Sequence, residues 1–235
     1  MAIPCYLAMT AAEISAADQL PPHTGWLACH FSSYSTGLSN LPRSLPPDSM
    51  IIINDRIPLH HHDPEYILDQ CLQLYESLIP AYFLLDLQRP GDDLARQITQ
   101  LLSAKLPCPV GVSSLYGKEL CCPVFLPPPP MHMPLAEYLL PWKGRPIWLE
   151  AVTEGAVITV DTNGCQFHAT APIDLPEPLF EERTLHFLYH TELLDHAVSF
   201  QLLRDQQRLQ DYLQHAEELG VTLAAGLYQQ YKNSP

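Results

Sequence analysis

Asp86, Gln88 and Arg89 follow an apolar run in the stretch "AYFLLDLQRPGDD" (81–93), which then breaks at Pro90-Gly91. Side chains alternate along an extended strand, so Asp86 and Gln88 share a face. A carboxylate there can hold a polar group or take a proton. Gln88 can donate a hydrogen bond, but an amide has no proton to surrender near neutral pH. The stretch has the position of a catalytic strand and lacks an acid at its end. Two other carboxylates end strongly apolar runs in the same manner: Asp55 after "MIIIN" and Glu150 in "IWLE".

The elements that would carry these residues are legible as short buried runs: 3–9, 26–30, 50–54, 81–86, 108–113, 122–126, 147–152 and "VTLAAGLY" from 221. Several are apolar throughout, as parallel strands covered on both faces are. Helical stretches separate some of them. Asp63-Pro64 is a cap followed by a first-turn proline and predicts a helix over about 64–78. Asp92 or Asp93 caps another, with Leu94, Ile98, Leu101 and Leu102 at helical spacing. Asp205 opens a third, which Gly220 ends. Asn163-Gly164, between alternating runs, predicts a hairpin. A Pro-rich link, "APIDLPEPLF", leads to a second pair joined near Asp195-His196. The expected fold is a (β/α)8 TIM-type barrel spanning residues 1–235 as one domain, with a small antiparallel insertion at 153–204 between strands seven and eight.

Chemistry in such a barrel sits at the carboxyl ends of the strands. Those ends offer Thr10 and Glu13, His30 with Ser32, Asp55 with Arg56, the Asp86 group, Ser113, Glu150, and Tyr228 with Gln229; the sixth offers only prolines. Charged residues there suit a polar-ligand site, and a solvated rim has them by default. The hydroxyl-rich "CHFSSYSTGLSN" (29–40) is a long loop at the mouth able to hold a polar ligand. The triplet His60-His61-His62 has no HExxH or partner spacing and reads as a solvated loop before the Asp63 cap, not a metal site.

In order of elements the chain resembles the chitinase-like barrels of glycoside hydrolase family 18, which insert a small sheet after strand seven. That family carries D-x-x-D-x-D-x-E on strand four, where this chain has Ala81, Leu84, Asp86 and Gln88, followed by Pro90. Only Asp86 matches. The resemblance implies that Asp86 would hold the substrate's acetamido group and that Gln88 occupies the proton donor's place. The family's sixth-strand tyrosine and eighth-strand tryptophan are replaced by "FLPPPP" and "AAGLY". The expectation is a catalytically degenerate glycosidase-like protein binding a carbohydrate or similar polar ligand, with Gln88, Arg89, Asp55, His30, Ser32 and Tyr228 as contacts. The alternative is a retaining glycoside hydrolase using Asp86 and Glu150, which requires about 5–5.5 Å between their carboxyl groups.

Composition narrows the partners. The 26 acidic residues against 12 basic ones give a formal net charge of −14. Such a surface repels phosphate backbones and anionic lipid heads, so neither nucleic acid nor a membrane is expected. No apolar run approaches the ~18 residues of a membrane span. The amino terminus has no basic n-region and reads as a first strand, not a signal peptide. The seven cysteines include no CxxC pair, and Cys5, Cys29, Cys108 and Cys122 fall in expected strands. They read as small core residues in a reducing cytoplasm. No cofactor is expected.

Overall fold

The computed structural model describes residues 3–232. In chain order its strands are β1 (Cys5–Met9), β2 (Thr24–Phe31), β3 (Leu38–Ser39), β4 (Met50–Asn54), β5 (Tyr82–Asp86), β6 (Val110–Ser113), β7 (Val124–Leu126) and β8 (Ile147–Glu150). Then come β9 (Glu154–Asp161), β10 (Gly164–Thr170), β11 (Phe180–Glu182), β12 (Phe187–Leu194), β13 (Ala197–Arg204) and β14 (Val221–Leu227). The helices are α1 (Ala11–Ala16), α2 (Pro64–Leu78), α3 (Asp93–Lys105), α4 (Ser114–Gly117), α5 (Leu135–Leu139), α6 (Gln206–Glu218) and α7 (Tyr228–Lys232).

Eight parallel strands run in the order β1-β2-β4-β5-β6-β7-β8-β14, and β1 pairs with both β2 and β14 to close the ring. This is a TIM-type barrel. Every predicted strand is present, with starts shifted by one or two residues at β1, β2, β5, β6 and β7. β6 begins at Val110 and β7 at Val124, leaving Cys108 and Cys122 just outside. Pro109 and Pro123 have no N–H to donate, so the ladder starts after them while their carbonyls accept from Phe83 and Val112. Between β2 and β4 stands the short β3, antiparallel to β2, in place of a helix. The residues ahead of β4 include Pro42, Pro46 and Pro47, which break helical hydrogen bonding.

The caps behave as their sequence predicts. Asp63 accepts from the Glu65 N–H, Asp92 from Leu94 and Ala95, and Asp205 from Arg208. α2 buries Ile67, Leu68, Cys71 and Leu74, and α3 buries Ala95, Ile98, Thr99 and Leu102, each a helical stripe laid on the barrel wall. Inside the ring, Tyr6, Met50, Ile52, Leu84, Phe125, Trp148 and Leu223 form a separate core. Gly111 makes room for one of them: a Cβ at that position would lie 2.0 Å from Cε3 of Trp148. The indole thus takes the volume that a side chain on β6 would otherwise fill.

The antiparallel sheet runs β10-β9-β13-β12-β11 and lies in sequence between β8 and β14. Both predicted hairpins occur: β9–β10 turns at Thr162-Asn163, with Gly164 already paired to Asp161, and β12–β13 turns at Asp195-His196. The Pro-rich link adds an unpredicted edge strand, β11, starting at Phe180 once the prolines have passed. Ala156, Phe187 and Leu202 bury against Met131 from the loop after β7, which packs the sheet beside the barrel's carboxyl end.

Candidate functional site

Strand parity delivers the central carboxylates. Leu84 and Trp148 point into the barrel core, so Asp86 and Glu150, two residues further along the same strands, stand directly above them at the mouth. Both line one small pit, whose floor and walls are Ile52, Leu84, Phe125 and Ala225. The pit holds about 50 Å³. That is far below the roughly 300–1,000 Å³ typical of small-molecule sites.

The apolar walls set the electrostatics. Burial pushes the Asp86 carboxyl up; a hydrogen bond from the Gln88 amide Nε2 opposes this and the Asp55 charge adds to it. Glu150 is raised further, to about 7, first by burial and then by Asp86 and Glu154. Two carboxyls with poor access to water therefore share a pit, and the one on β8 keeps its proton up to near neutral pH. Chemically this is a hydrogen-bond donor and acceptor pair, and Glu150 has the titration range of a general acid.

Gln88 stands at the mouth beside Asp86, exposed, with its amide donating to Oδ1. It does not turn toward the helices. Asp55 has a different position: it is buried, and its Oδ2 accepts from the backbone N–H groups of Gln88 (2.9 Å) and Arg89 (3.0 Å). Arg89 returns its Nε to the Asp55 carbonyl at 3.3 Å, and its own carbonyl accepts from the Tyr116 hydroxyl. Asp55 thus fixes the loop that presents Gln88.

The remaining candidates lie around the rim. His30 donates Nδ1–H to the Ala28 carbonyl at 2.9 Å. Ser32 is buried and its Oγ accepts from the N–H groups of Tyr34 and Ser35. Tyr228 is half-buried at the start of α7. The structure brings Asp86, Gln88 and Glu150 to the centre and ties the exposed Arg89 to the buried Asp55 beside them; His30, Ser32 and Tyr228 stay on the periphery. Thr10 and Glu13 are used locally, in a reciprocal capping box on α1.

The histidine triplet differs from the solvated loop read in the sequence. His62 is buried, its Nδ1 accepts from the His60 N–H, and its Nε2 therefore carries the hydrogen donated to the Ser32 carbonyl. One histidine is a bridge between two mouth loops, while His60 and His61 stay exposed. Among the described residues no group of three or more His, Cys, Asp or Glu is placed to hold a metal. Two residues escaped the sequence reading. Asn54, level with Asp86 on the next strand, donates Nδ2 to the Leu27 and Cys29 carbonyls where β2 bulges. Its place two residues after Ile52 was the available signal. Glu154, whose charge helps to hold the proton on Glu150, pairs with a buried arginine across the inserted sheet and had no sequence signal.

No helix among the described residues is long and apolar enough to cross a membrane. No protein-family model matches the sequence, and no curated protein does. Solved structures do resemble the fold. The spore cortex-lytic enzyme SleL of Bacillus cereus superposes with a TM-score of 0.59 at 11% identity, covering 98% of this chain and 73% of that one. The Bacillus megaterium SleL gives 0.51 at 10% identity, covering 95% and 70%. A mutant family 18 chitinase of Cycas revoluta, in complex with (GlcNAc)4, gives 0.60 at 12% identity, covering 97% and 95%. At these identities the likeness is one of fold: the chain has a glycosidase-like barrel similar to that of glycoside hydrolase family 18.

Proposed function

We propose that this is a catalytically degenerate glycosidase-like protein, a single barrel domain with an insertion at 153–204, that binds a carbohydrate or similar polar ligand across its mouth. The observation that carries the reading is Gln88. It stands at the mouth where the resemblance puts a proton donor, hydrogen-bonded to Asp86, and an amide cannot do that work. The size of the pit supports it too, because about 50 Å³ is far below the roughly 300–1,000 Å³ typical of small-molecule sites. Asp86, Gln88 and Arg89 are polar contacts at the centre in this reading, with His30, Ser32 and Tyr228 on the rim and Asp55 acting through the loop it holds. The seven cysteines are all free thiols, which suits the cytoplasm.

One observation favours a second reading, a glycoside hydrolase using Asp86 and Glu150. Glu150 titrates near 7 in the same pit as Asp86, and a general acid works best near the operating pH. Incubating the wild type and Glu150→Gln with N-acetylglucosamine oligomers and counting new reducing ends separates the two. The degenerate reading expects no turnover above buffer from the wild type. Turnover by the wild type that Glu150→Gln abolishes, with an acid limb near pH 7, would establish the hydrolase instead.

A further inference from the structure

The central pit is far smaller than a typical small-molecule site, so a saccharide needs a seat elsewhere on the mouth. A cavity of about 420 Å³ lies between the loop after β2 and the loop after β4, bounded by Ser32–Thr36 on one side and by Ile57, Pro58 and His60–His62 on the other. This volume is in the range of about 300–1,000 Å³ typical of small-molecule sites. We infer that this rim cavity seats one ring of a neutral saccharide, with Tyr34 as its stacking platform. The inference rests on the carbohydrate reading above and places the ligand's main contact away from Asp86.

Three properties of the cavity point to that chemistry. First, no lysine, arginine, aspartate or glutamate lines it, in a chain with 26 acidic residues. An uncharged lining favours a neutral ligand, since a charged one would lose hydration without a partner. Second, apart from the His62 ring, whose nitrogens are already engaged, the polar groups are hydroxyls and the His60 and His61 imidazoles, which both donate and accept and so match a ligand whose hydroxyls do the same. Third, Tyr34 is fully exposed (100%), with a ring whose apolar face can cover the C–H face of a pyranose while its hydroxyl reaches polar groups.

The loop is also held in advance of binding. The Ser32 hydroxyl accepts from the Tyr34 and Ser35 N–H groups, and the Thr36 carbonyl accepts from the Asp63 N–H at 2.8 Å. The His62 ring ties the Ser32 carbonyl to the opposite wall. Gln70 on α2 accepts from the Leu38 N–H at 2.7 Å, and a Cβ at Gly37 would lie 2.3 Å from that Gln70 oxygen. A loop pinned at these points loses little freedom when a ligand arrives, which favours affinity. The other mouth-side hollow, about 350 Å³ beside Gln229, contains Asp174 and Asp205 and no aromatic ring. A hollow of about 430 Å³ near Leu139 and Gly220 is at the opposite end of the barrel.

Isothermal titration of (GlcNAc)4 into the full chain tests the seat. Tyr34→Ala, at a fully exposed position, is expected to weaken binding at least about tenfold. Ser33→Arg, which places a long charged side chain in the cavity, is expected to do the same. Gln88→Ala should cost less than Tyr34→Ala, and Leu193→Ala, 82% exposed on the inserted sheet, should leave affinity within about twofold. If Tyr34→Ala and Ser33→Arg bind as the wild type does while Gln88→Ala loses affinity, the rim seat is wrong and the carbohydrate reading survives. If the wild type binds no neutral oligosaccharide, both fall together.

Discussion

Replacing Arg204 with alanine is expected to destabilise the protein by about 3–5 kcal/mol, the cost of breaking a buried ion pair on one side. Arg204 ends β13 and is only 2% exposed. Its guanidinium pairs with Glu154 on the neighbouring strand, donates to the Leu185 carbonyl at 3.1 Å and the His186 carbonyl at 3.3 Å, and lies 4.5 Å from the Tyr212 ring centre. Alanine strands Glu154, whose carboxyl burial already pushes up and Arg204 holds down. It also unfastens the inserted sheet from α6. Urea unfolding reads the loss directly, and at about 2–4 °C per kcal/mol for a chain of this size the melting temperature should fall by roughly 10 °C. Arg204→Met combined with Glu154→Leu should recover much of it, because the pair's desolvation disappears with both charges. A loss under about 1 kcal/mol in Arg204→Ala would mean that water reaches Glu154 freely.

Glu150→Gln is expected to stabilise the protein, and only on the alkaline side. In the unfolded chain this carboxyl ionises near 4.5; in the fold it ionises near 7. Across that interval the unfolded state has already released the proton that the native state retains. Stability therefore falls as pH rises from about 4.5 to about 7, and the loss is complete above the native pKa. The shift corresponds to a cost on the order of 3 kcal/mol at high pH. Glutamine never ionises, so the variant should exceed the wild type by up to this amount at pH 8 and equal it near pH 4. Unfolding curves at the two pH values check the sign; equal effects at both would show that Glu150 is not held protonated.

The parts of this molecule that were readable in advance have single local causes. The β-branched run "MIIIN" is short and apolar throughout, as a buried strand is, and Asp63-Pro64 is a local helix cap. Asn163-Gly164 marks the hairpin between β9 and β10, although the turn itself falls at Thr162-Asn163 and Gly164, at φ 133°, is already paired with Asp161. Parity then carries Asp86 and Glu150 to the mouth with no tertiary information beyond closure of the ring. What stayed hidden depends on partners distant in sequence. Nothing near His62 announces that its ring will bridge to Ser32, thirty residues earlier. Asp55 looks like a ligand contact until its carboxylate is seen holding the N–H groups of Gln88 and Arg89. The size of the central pit is set by Phe125, Leu84 and Ala225 from three strands, and no single stretch encodes it. The edge strand β11 was masked by the prolines that precede it.

The mouth is expected to bind a saccharide without cleaving it. The most direct measurement follows (GlcNAc)4 with the wild-type protein by proton NMR, reading ligand line broadening for binding and the anomeric signals over days for cleavage. The expected result is line broadening that shrinks as the ratio of (GlcNAc)4 to protein rises, with the anomeric signals of the tetramer unchanged. New reducing-end anomeric signals growing with protein concentration would contradict the degenerate site, and sharp, unperturbed ligand lines at millimolar concentration would contradict the binding.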